Sequence, residues 1–506
     1  MTGRARSAVA IGTSYVRFLS SVAAVIVVTP IAVRELGAAG FGLWALALAS
    51  IGLVGLLESG ITSTAVRYAA AAEGAGDEAG RNRCLSTLAL LGAVVGLSVA
   101  LLAWSLAPAF AILFGLRAVD APTFVLLVRV GGVAVGLSLP AGIWRAALVA
   151  RGDLPLVNVV ETACVLAGAL VTALGLARGD GILAMIAGFA VTTLAPSLAS
   201  MPLAHLRSGT LSIRPRLASL ATWRELRGFA GAAMLANTAG VAAARVEPML
   251  VKSFMPLAAV GHFSVASRIA EYLSLLARQF ANALSPSIAQ AHGAGRTAEI
   301  RGLLLGGTAT LFAGTTMVAS VIVLHADSLL TLWLGPDFAA AAPAVRILVA
   351  AAAVSSLSLT AANVLGMTGG HRTVATSAAC AAALRLCAGA LLLPAVGLTG
   401  PGIAAIVASL LFDTGLVLRR TCRSLGVGLP EFLRSAAGPG LTGLAGFWIA
   451  AAATGSAVEV STWRGLLVHA ALLAVVSGAC VLPWLVLAMR RARPQSAGVE
   501  SVGALS

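Results

Sequence analysis

The stretch VASRIAEYLSLLARQFANALSP at 265–286 is apolar enough to cross a bilayer, yet it carries Arg268, Glu271, Arg278, Gln279 and Asn282. A guanidinium presents a planar fork of donors that engages two oxygens of a carboxylate or phosphate at once. A carboxylate beside it either neutralises that charge or holds a cation. On insertion scales a charge at mid-span costs about 2.5–3.5 kcal/mol, so such groups turn toward protein, water or one another. Helical geometry gives the direction. At 3.6 residues per turn, Ser264, Arg268, Glu271, Arg278, Gln279 and Asn282 fall within an arc of about 100°. The segment is therefore an amphipathic span with one polar stripe.

Other apolar runs repeat the device. Thr13, Ser14, Ser20 and Ser21 lie within about 60° of Arg17. Asn237 and Thr238 flank the azimuth of Arg245, and Glu58 and Thr62 share a face at i, i+4. In all, eight arginines (Arg17, Arg129, Arg145, Arg245, Arg268, Arg278, Arg346, Arg385) and five acids (Glu58, Glu161, Glu247, Glu271, Asp413) fall inside apolar runs. A chamber lined by them is net cationic and favours an anion, phosphate above all. The candidate binding set is Arg17, Arg245, Arg268, Glu58, Glu271 and Asn282. Plainer readings stand beside it. Arg129, Arg145 and Arg346 lie near span ends, where long side chains snorkel, and Arg278 is open to the same reading. Arg268 with Glu271 is open to reading as a structural ion pair, and Glu161 and Asp413 as buried partners.

Composition sets the elements that position these groups. The chain of 506 residues is 59% hydrophobic and 10% charged, with a mean hydropathy of +0.97. A soluble chain carries roughly a quarter charged residues, so this is a polytopic membrane protein. The net charge of +15 comes from short basic clusters between apolar runs, which argues against nucleic acid as a partner. Lys252 is the only lysine, with no glycine run before it, which excludes a Walker A loop. The six cysteines are scattered through apolar runs. No disulfide framework, metal site or cofactor is expected. The apolar run from about 8 to 33 is too long for a cleaved signal and reads as a retained first helix.

A span needs about 20 apolar residues, and scanning at that length gives about fourteen candidates. They run 8–33, 41–63, 84–107, 122–147, 155–177, 182–205, 228–253, 258–284, 302–325, 342–367, 373–396, 400–420, 435–455 and 464–489. The breaks at 178–181 and 397–400 read as tight turns, because each flanking run is itself long enough to span. With the N-terminus cytoplasmic, 21 of the 34 Arg and Lys fall in inside segments and 5 in outside loops. That bias fits the positive-inside rule with both termini inside.

Three short echoes mark an internal repeat. Ala72–Gly76 matches Ala291–Gly295, Leu113–Gly115 matches Trp333–Gly335, and Gly179–Ile182 matches Gly400–Ile403, at offsets of 219, 220 and 221. Six helices per copy is an even number, so the copies share orientation, as in parallel-repeat transporters. The expected fold is all-α, with two pseudo-symmetric six-helix bundles forming a central cavity and two further C-terminal helices. The lobes are 1–205 and 228–425, joined by a cytoplasmic linker at 206–227. The last two helices occupy 435–489, and a tail follows at 490–506.

Three segments carry a family resemblance. RELGAAGFGLWALALASIGLVGLLESGITSTAVRYAA at 34–70 resembles the second-helix region of bacterial polysaccharide and oligosaccharide flippases. VEPMLVKSFMPLAAVGHFSVASRIAEYL at 246–273, with LSPSIAQAHG at 284–293, resembles the same family, as does LLTLWLGPDFAAAAPAVRIL at 329–348. These flippases belong to the multidrug/oligosaccharidyl-lipid/polysaccharide exporter superfamily. The resemblance implies two six-helix lobes around a V-shaped cavity in the bacterial inner membrane. The implied substrate is an undecaprenyl-pyrophosphate-linked oligosaccharide, moved to the outer leaflet for surface polysaccharide or lipopolysaccharide synthesis. Membrane lipids and polysaccharide assembly proteins are the implied partners. Lipid II flippase relatives hold the pyrophosphate with arginines of the first and eighth helices, which here points to Arg17 and Arg268. Two competitors are a cation-coupled multidrug antiporter of the same superfamily and a membrane polymerase or glycosyltransferase. The first would want a net acidic cavity. The second would want a sizeable outer loop bearing carboxylates, and here the outer loops are short.

Overall fold

The structure, a computed structural model, describes residues 3–55, 59–454 and 461–492. Among them every regular element is helical, as a chain must be if its backbone is to satisfy its own hydrogen bonds in lipid without forming a barrel. The first unit formed by the contacts is Met1–Ser264. It holds α1 (Gly3–Val54), α2 (Ser59–Gly74), α3 (Glu78–Leu113), α4 (Ala121–Ala150), α5 (Leu154–Ala177), α6 (Ile182–Arg207), α7 (Leu220–Phe254) and the start of α8 (Leu257–Ala283). Gly37 interrupts α1 with φ 66° and ψ 175°, so the run contains two helices meeting at a kink. The second unit is Val265–Ser506. It holds the rest of α8, then α9 (Ser285–Gly293), α10 (Thr297–Leu324), α11 (Ala326–Leu334), α12 (Ala342–Met367), α13 (His371–Val396) and α14 (Gly400–Ala408). A π-helical stretch, Ser409–Leu418, leads into α15 (Arg419–Ser424), followed by α16 (Leu429–Phe432), α17 (Gly438–Thr454) and α18 (Trp463–Ala492).

Ten helical segments of the described chain are long and apolar enough to cross a membrane. Two of them, Gly12–Val54 and His371–Ser424, have 43 and 54 residues, well beyond the roughly 20 that one crossing needs. The runs expected as helices 7 and 8 fold into α7 and α8, of 35 and 27 residues. Turns stand where the Gly-rich breaks predict them, with Gly179 and Gly181 at φ 85° and 57° and Gly397 at 65°.

The first unit is built on close helix approach. α3 packs along α4, α5 along α6 and α1, and α7 against α1, α2 and α3. A Cβ placed on Gly96 of α3 would lie 2.1 Å from the Gly136 carbonyl oxygen of α4, and one on Gly136 would lie 2.4 Å from that of Gly96. Such reciprocal small-residue contacts let membrane helices pack where no hydrophobic force between them exists. Because α7 leans on α1, α2 and α3, the contact boundary falls within α8, whereas the repeat boundary drawn from the sequence lies at 206–227. A repeat is a property of chain order and a contact unit a property of packing, so the two differ in kind.

The repeat is visible in each unit by itself. Gly76 and Gly295 have φ of 69° and 68°, the left-handed region that only glycine enters cheaply. They close the same turn: the amides of Asp77 and Arg296 donate at 2.9 Å to the carbonyls of Ala72 and Ala291. Positive φ recurs at Gly115 and Gly335, and at Gly152 and Gly369. Side chains repeat as well. Arg129 Nε donates to the Trp104 carbonyl and Arg346 Nε to that of Val323, each at 3.2 Å. Arg81 opens α3 and reaches Thr210 at 3.1 Å, while Arg301 opens α10 and reaches Glu431 at 2.5 Å. Each arginine thus fastens the segment that follows the sixth helix of its own copy.

In the first unit that fastening is extensive. Arg81, 4% exposed, also binds Glu73 at 2.7 Å. Asn82 binds both the Thr210 carbonyl and the Ser212 amide, and Ser86 and Thr87 accept from the amides of Arg214 and Ser219. The linker therefore docks as an extended strap on one end of α3.

Candidate functional site

Arg17 lies one turn beyond Thr13 and Ser14 on α1, and that polar face meets α5. The Thr13 and Ser14 hydroxyls donate to backbone carbonyls of their own helix, leaving their oxygens as acceptors. Asn158 Nδ2 of α5 donates to both, at 3.1 and 2.9 Å. One turn further along α5 is Glu161. Arg17 Nη1 donates to its Oε2 at 2.6 Å, and Arg145 Nη1 of α4 donates to its Oε1 at 2.7 Å. A single carboxylate, 12% exposed, thus bridges guanidiniums that are 45% and 29% exposed. Both arginines keep most of their donors unused, since each has five. The cluster carries one net positive charge. Glu161 is the eighth residue of α5, placing it about 10 Å in from the turn where α4 passes to α5.

The structure thus recruits three residues from outside the sequence-derived binding set: Glu161, Arg145 and Asn158. Arg145, read as a snorkelling side chain, is half-buried in an ion pair. Asn158, 2% exposed, was not singled out. Its i, i+3 relation to Glu161 is the signal that could have found it, because both must then face one neighbour.

Arg245 of α7 lies against α1. A Cβ on Gly52 would come within 2.6 Å of its Nε and 2.7 Å of its Cδ, so the absence of a side chain at 52 makes room for the Arg245 stem. Glu247, two residues on, is buried. Glu58 lies outside the described residues.

In the second unit, α8 presents the expected stripe. Ala266, Ala270, Leu273, Ala277 and Ala281 are buried, while Glu271, Arg278, Gln279 and Asn282 are exposed. Arg268 Nη1 stands 3.9 Å from Glu271, a loose pair, and also faces the Tyr272 hydroxyl. Asn363 of α12 donates to Asn282 at 3.4 Å. Asp413 sits in the π-helical stretch beside Ser409 and Arg385, where Ser377 of α13 donates to the Phe412 carbonyl at 3.0 Å. The remaining arginines are tied at helix ends. Arg346 pairs with Asp327, and the Arg129 guanidinium lies 4.7 Å from the centre of the Trp104 ring. Arg17 and Arg245 belong to the first unit, and Arg268, Glu271 and Asn282 to the second.

Both units are of repeated helical construction and hold arginine inside apolar spans. Solved structures share the fold. The chain is similar to an inward-facing multidrug resistance MATE family transporter of the MOP superfamily, at 16% identity and TM-score 0.66, covering 80% of this chain and 95% of that one. It is similar to the lipid II flippase MurJ in an inward closed conformation, at 10% identity and TM-score 0.67, covering 95% of this chain and 99% of that one. The Vibrio cholerae MATE transporter VcmN in its bent form aligns at 17% identity and TM-score 0.52, covering 83% of this chain and 98% of that one. No curated protein sequence matches. Residues 10–292, more than half of the chain, match the polysaccharide biosynthesis protein family, and the chain belongs to that family.

Proposed function

We propose that this protein flips an undecaprenyl-pyrophosphate-linked oligosaccharide from the cytoplasmic to the outer leaflet of the bacterial inner membrane. It works by alternating access and serves surface polysaccharide synthesis. The observation that carries this reading is the pair Arg17 and Arg145 sharing one carboxylate. Two guanidiniums held by helices from different parts of the chain, with spare donors on each, suit a diphosphate. The lipid tail stays in the bilayer while the guanidiniums hold the headgroup, and Arg245, Arg268, Glu271 and Asn282 are further candidate headgroup contacts. On the topology with both termini in the cytoplasm, the Arg17 cluster lies in the cytoplasmic half of the membrane, where a loaded carrier arrives. Membrane lipids and polysaccharide assembly proteins are the partners.

Reconstituted flipping of a fluorescent lipid-linked sugar tests this. Arg17→Ala and Arg145→Ala should each lower the rate by about tenfold or more, the loss expected for a contact to a charged transported group. Arg268→Ala should lower it as well. Full rates in all three variants, or efflux of a cationic dye in place of flipping, would overturn the proposal.

A further inference from the structure

Arg129 of α4 and Arg346 of α12 hold the same place in the two copies. Each gives its Nε proton to a carbonyl of the neighbouring helix, that of Trp104 or Val323. Their charges are then met differently. Arg346 closes an ion pair with Asp327, one turn past Val323. At the same offset of 219 residues, Val323 corresponds to Trp104 and Asp327 to Pro108. Arg129 therefore meets a ring, with its guanidinium carbon 4.7 Å from the centre, and no carboxylate. Among the described residues its two Nη groups have no hydrogen-bonding partner.

The surroundings of this guanidinium face lipid. Leu97, Leu101 and Trp104 are exposed and follow one another at i, i+4 and i+7 on α3, and exposed Leu126 and Val130 flank Arg129 on α4. In a membrane chain such an apolar stripe lies against acyl chains. Depth follows from helix length. α4 has 30 residues, or about 45 Å, which matches a bilayer of roughly 40–45 Å with its headgroups. Arg129 is the ninth residue, about 12 Å from the helix start, and a hydrocarbon core of about 30 Å begins about 7–8 Å from that start. From there a snorkelling arginine reaches the headgroup level, where tryptophan also settles. A guanidinium at this depth with unused donors calls for an anion.

We infer that Arg129 and Trp104 form a docking site for the phosphodiester of one anionic phospholipid. On the topology with both termini in the cytoplasm, that lipid belongs to the outer leaflet. The two Nη groups take two phosphate oxygens in a fork, while the Trp104 ring covers one face of the guanidinium. A glycerol headgroup suits the site, because it brings no ammonium to repel the arginine. The second copy needs no such lipid, since Asp327 already supplies the anion. The seated lipid closes the seam between α3 and α4 from the membrane side. The site is separate from the Arg17 cluster: Arg145 lies 16 residues further along α4, about 24 Å away. The inference does not depend on what the protein transports.

Native mass spectrometry of the full-length protein in detergent, titrated with phosphatidylglycerol, reads the site directly. Arg129→Gln should weaken retention of the first lipid about tenfold, the scale of one charge-assisted hydrogen bond. Pro108→Asp places a carboxylate where the second copy has Asp327, and should weaken retention equally with Arg129 intact. Asp327→Asn releases Arg346 and should add a second retained lipid. Diacylglycerol with the same chains, which lacks phosphate, should not occupy the site in wild type. That comparison stands even where a variant fails to fold. Unchanged retention by folded Arg129→Gln or Pro108→Asp, no added lipid on Asp327→Asn, or equal retention of diacylglycerol overturns the proposal. Displacement of phosphatidylglycerol from the Arg129-dependent site by tenfold less geranylgeranyl diphosphate also overturns it, because the occupant is then a diphosphate lipid.

Discussion

The Arg245 side chain crosses α1 at Gly52, and the fit depends on a missing side chain. A methyl group there would overlap the guanidinium stem at 2.6–2.7 Å, but the stem is flexible and can swing aside. On the proposed function, with Arg245 serving the headgroup, Gly52→Ala should therefore fold at near wild-type yield and flip substrate more slowly, on the order of tenfold, because a misplaced binding group costs rate without costing stability. Flipping rates and size-exclusion profiles of Gly52→Ala and Arg245→Ala, measured together, check this. Wild-type flipping by Gly52→Ala beside a defective Arg245→Ala would show that the two side chains are not linked. The residue scale also shows where sequence reasoning reaches. Arg268 and Glu271 are three apart on one helix, so their pairing is readable from spacing. Yet that pair is the loose one, at 3.9 Å. Arg17 pairs at 2.6 Å with a residue 144 positions away, which no helical wheel reports.

At the scale of elements, α3 and α4 meet through glycine backbones, and nothing at that crossing can yield by rotating a side chain. Gly96→Leu or Gly136→Leu must separate the helices, which should destabilise the protein by about 1–3 kcal/mol or more. Gly12→Ala is the control, because a Cβ there meets nothing within 4 Å. Thermal unfolding in detergent separates the two kinds of substitution. Equal melting curves for Gly96→Leu and Gly12→Ala would contradict the packing described. The sequence marks α3 and α4 as spans by hydropathy alone. Which glycines touch is not written in it, since 55 glycines offer many small faces and only the crossing selects a pair.

At the scale of the whole chain, the duplicated architecture places Arg81 and Arg301 in the same role with different burial. Arg81 is 4% exposed and serves Glu73, Asn82 and Thr210, whereas the Arg301 side chain is 41% exposed and serves Glu431. Arg81→Ala should cost about 1–3 kcal/mol, the scale of buried hydrogen bonds to a charged group, and Arg301→Ala distinctly less. Melting temperatures of the two variants measure the asymmetry, and a larger loss at Arg301 would reverse it. Of the three weak echoes at offsets of 219 to 221, two carry turn glycines whose positive φ repeats, Gly76 with Gly295 and Gly115 with Gly335, whereas in the third Gly179 has φ 85° and Gly400 has φ −53°. The arginine pairs Arg81 with Arg301 and Arg129 with Arg346 obey the same duplication. They escaped notice because isolated arginines carry no local signature.

By itself the sequence determined that the chain is helical, spans a membrane many times, repeats itself, and carries arginine on defined stripes of its spans. Each of these follows from interactions within one helix or between one helix and its solvent, and those are local in the chain. Only the tertiary structure decided that Glu161 serves two arginines at once, that Asn158 ties α5 to α1, and that the linker straps onto α3. These are contacts between residues far apart in order. Their partners are selected by how helices cross, and periodicity along a single helix holds no record of that.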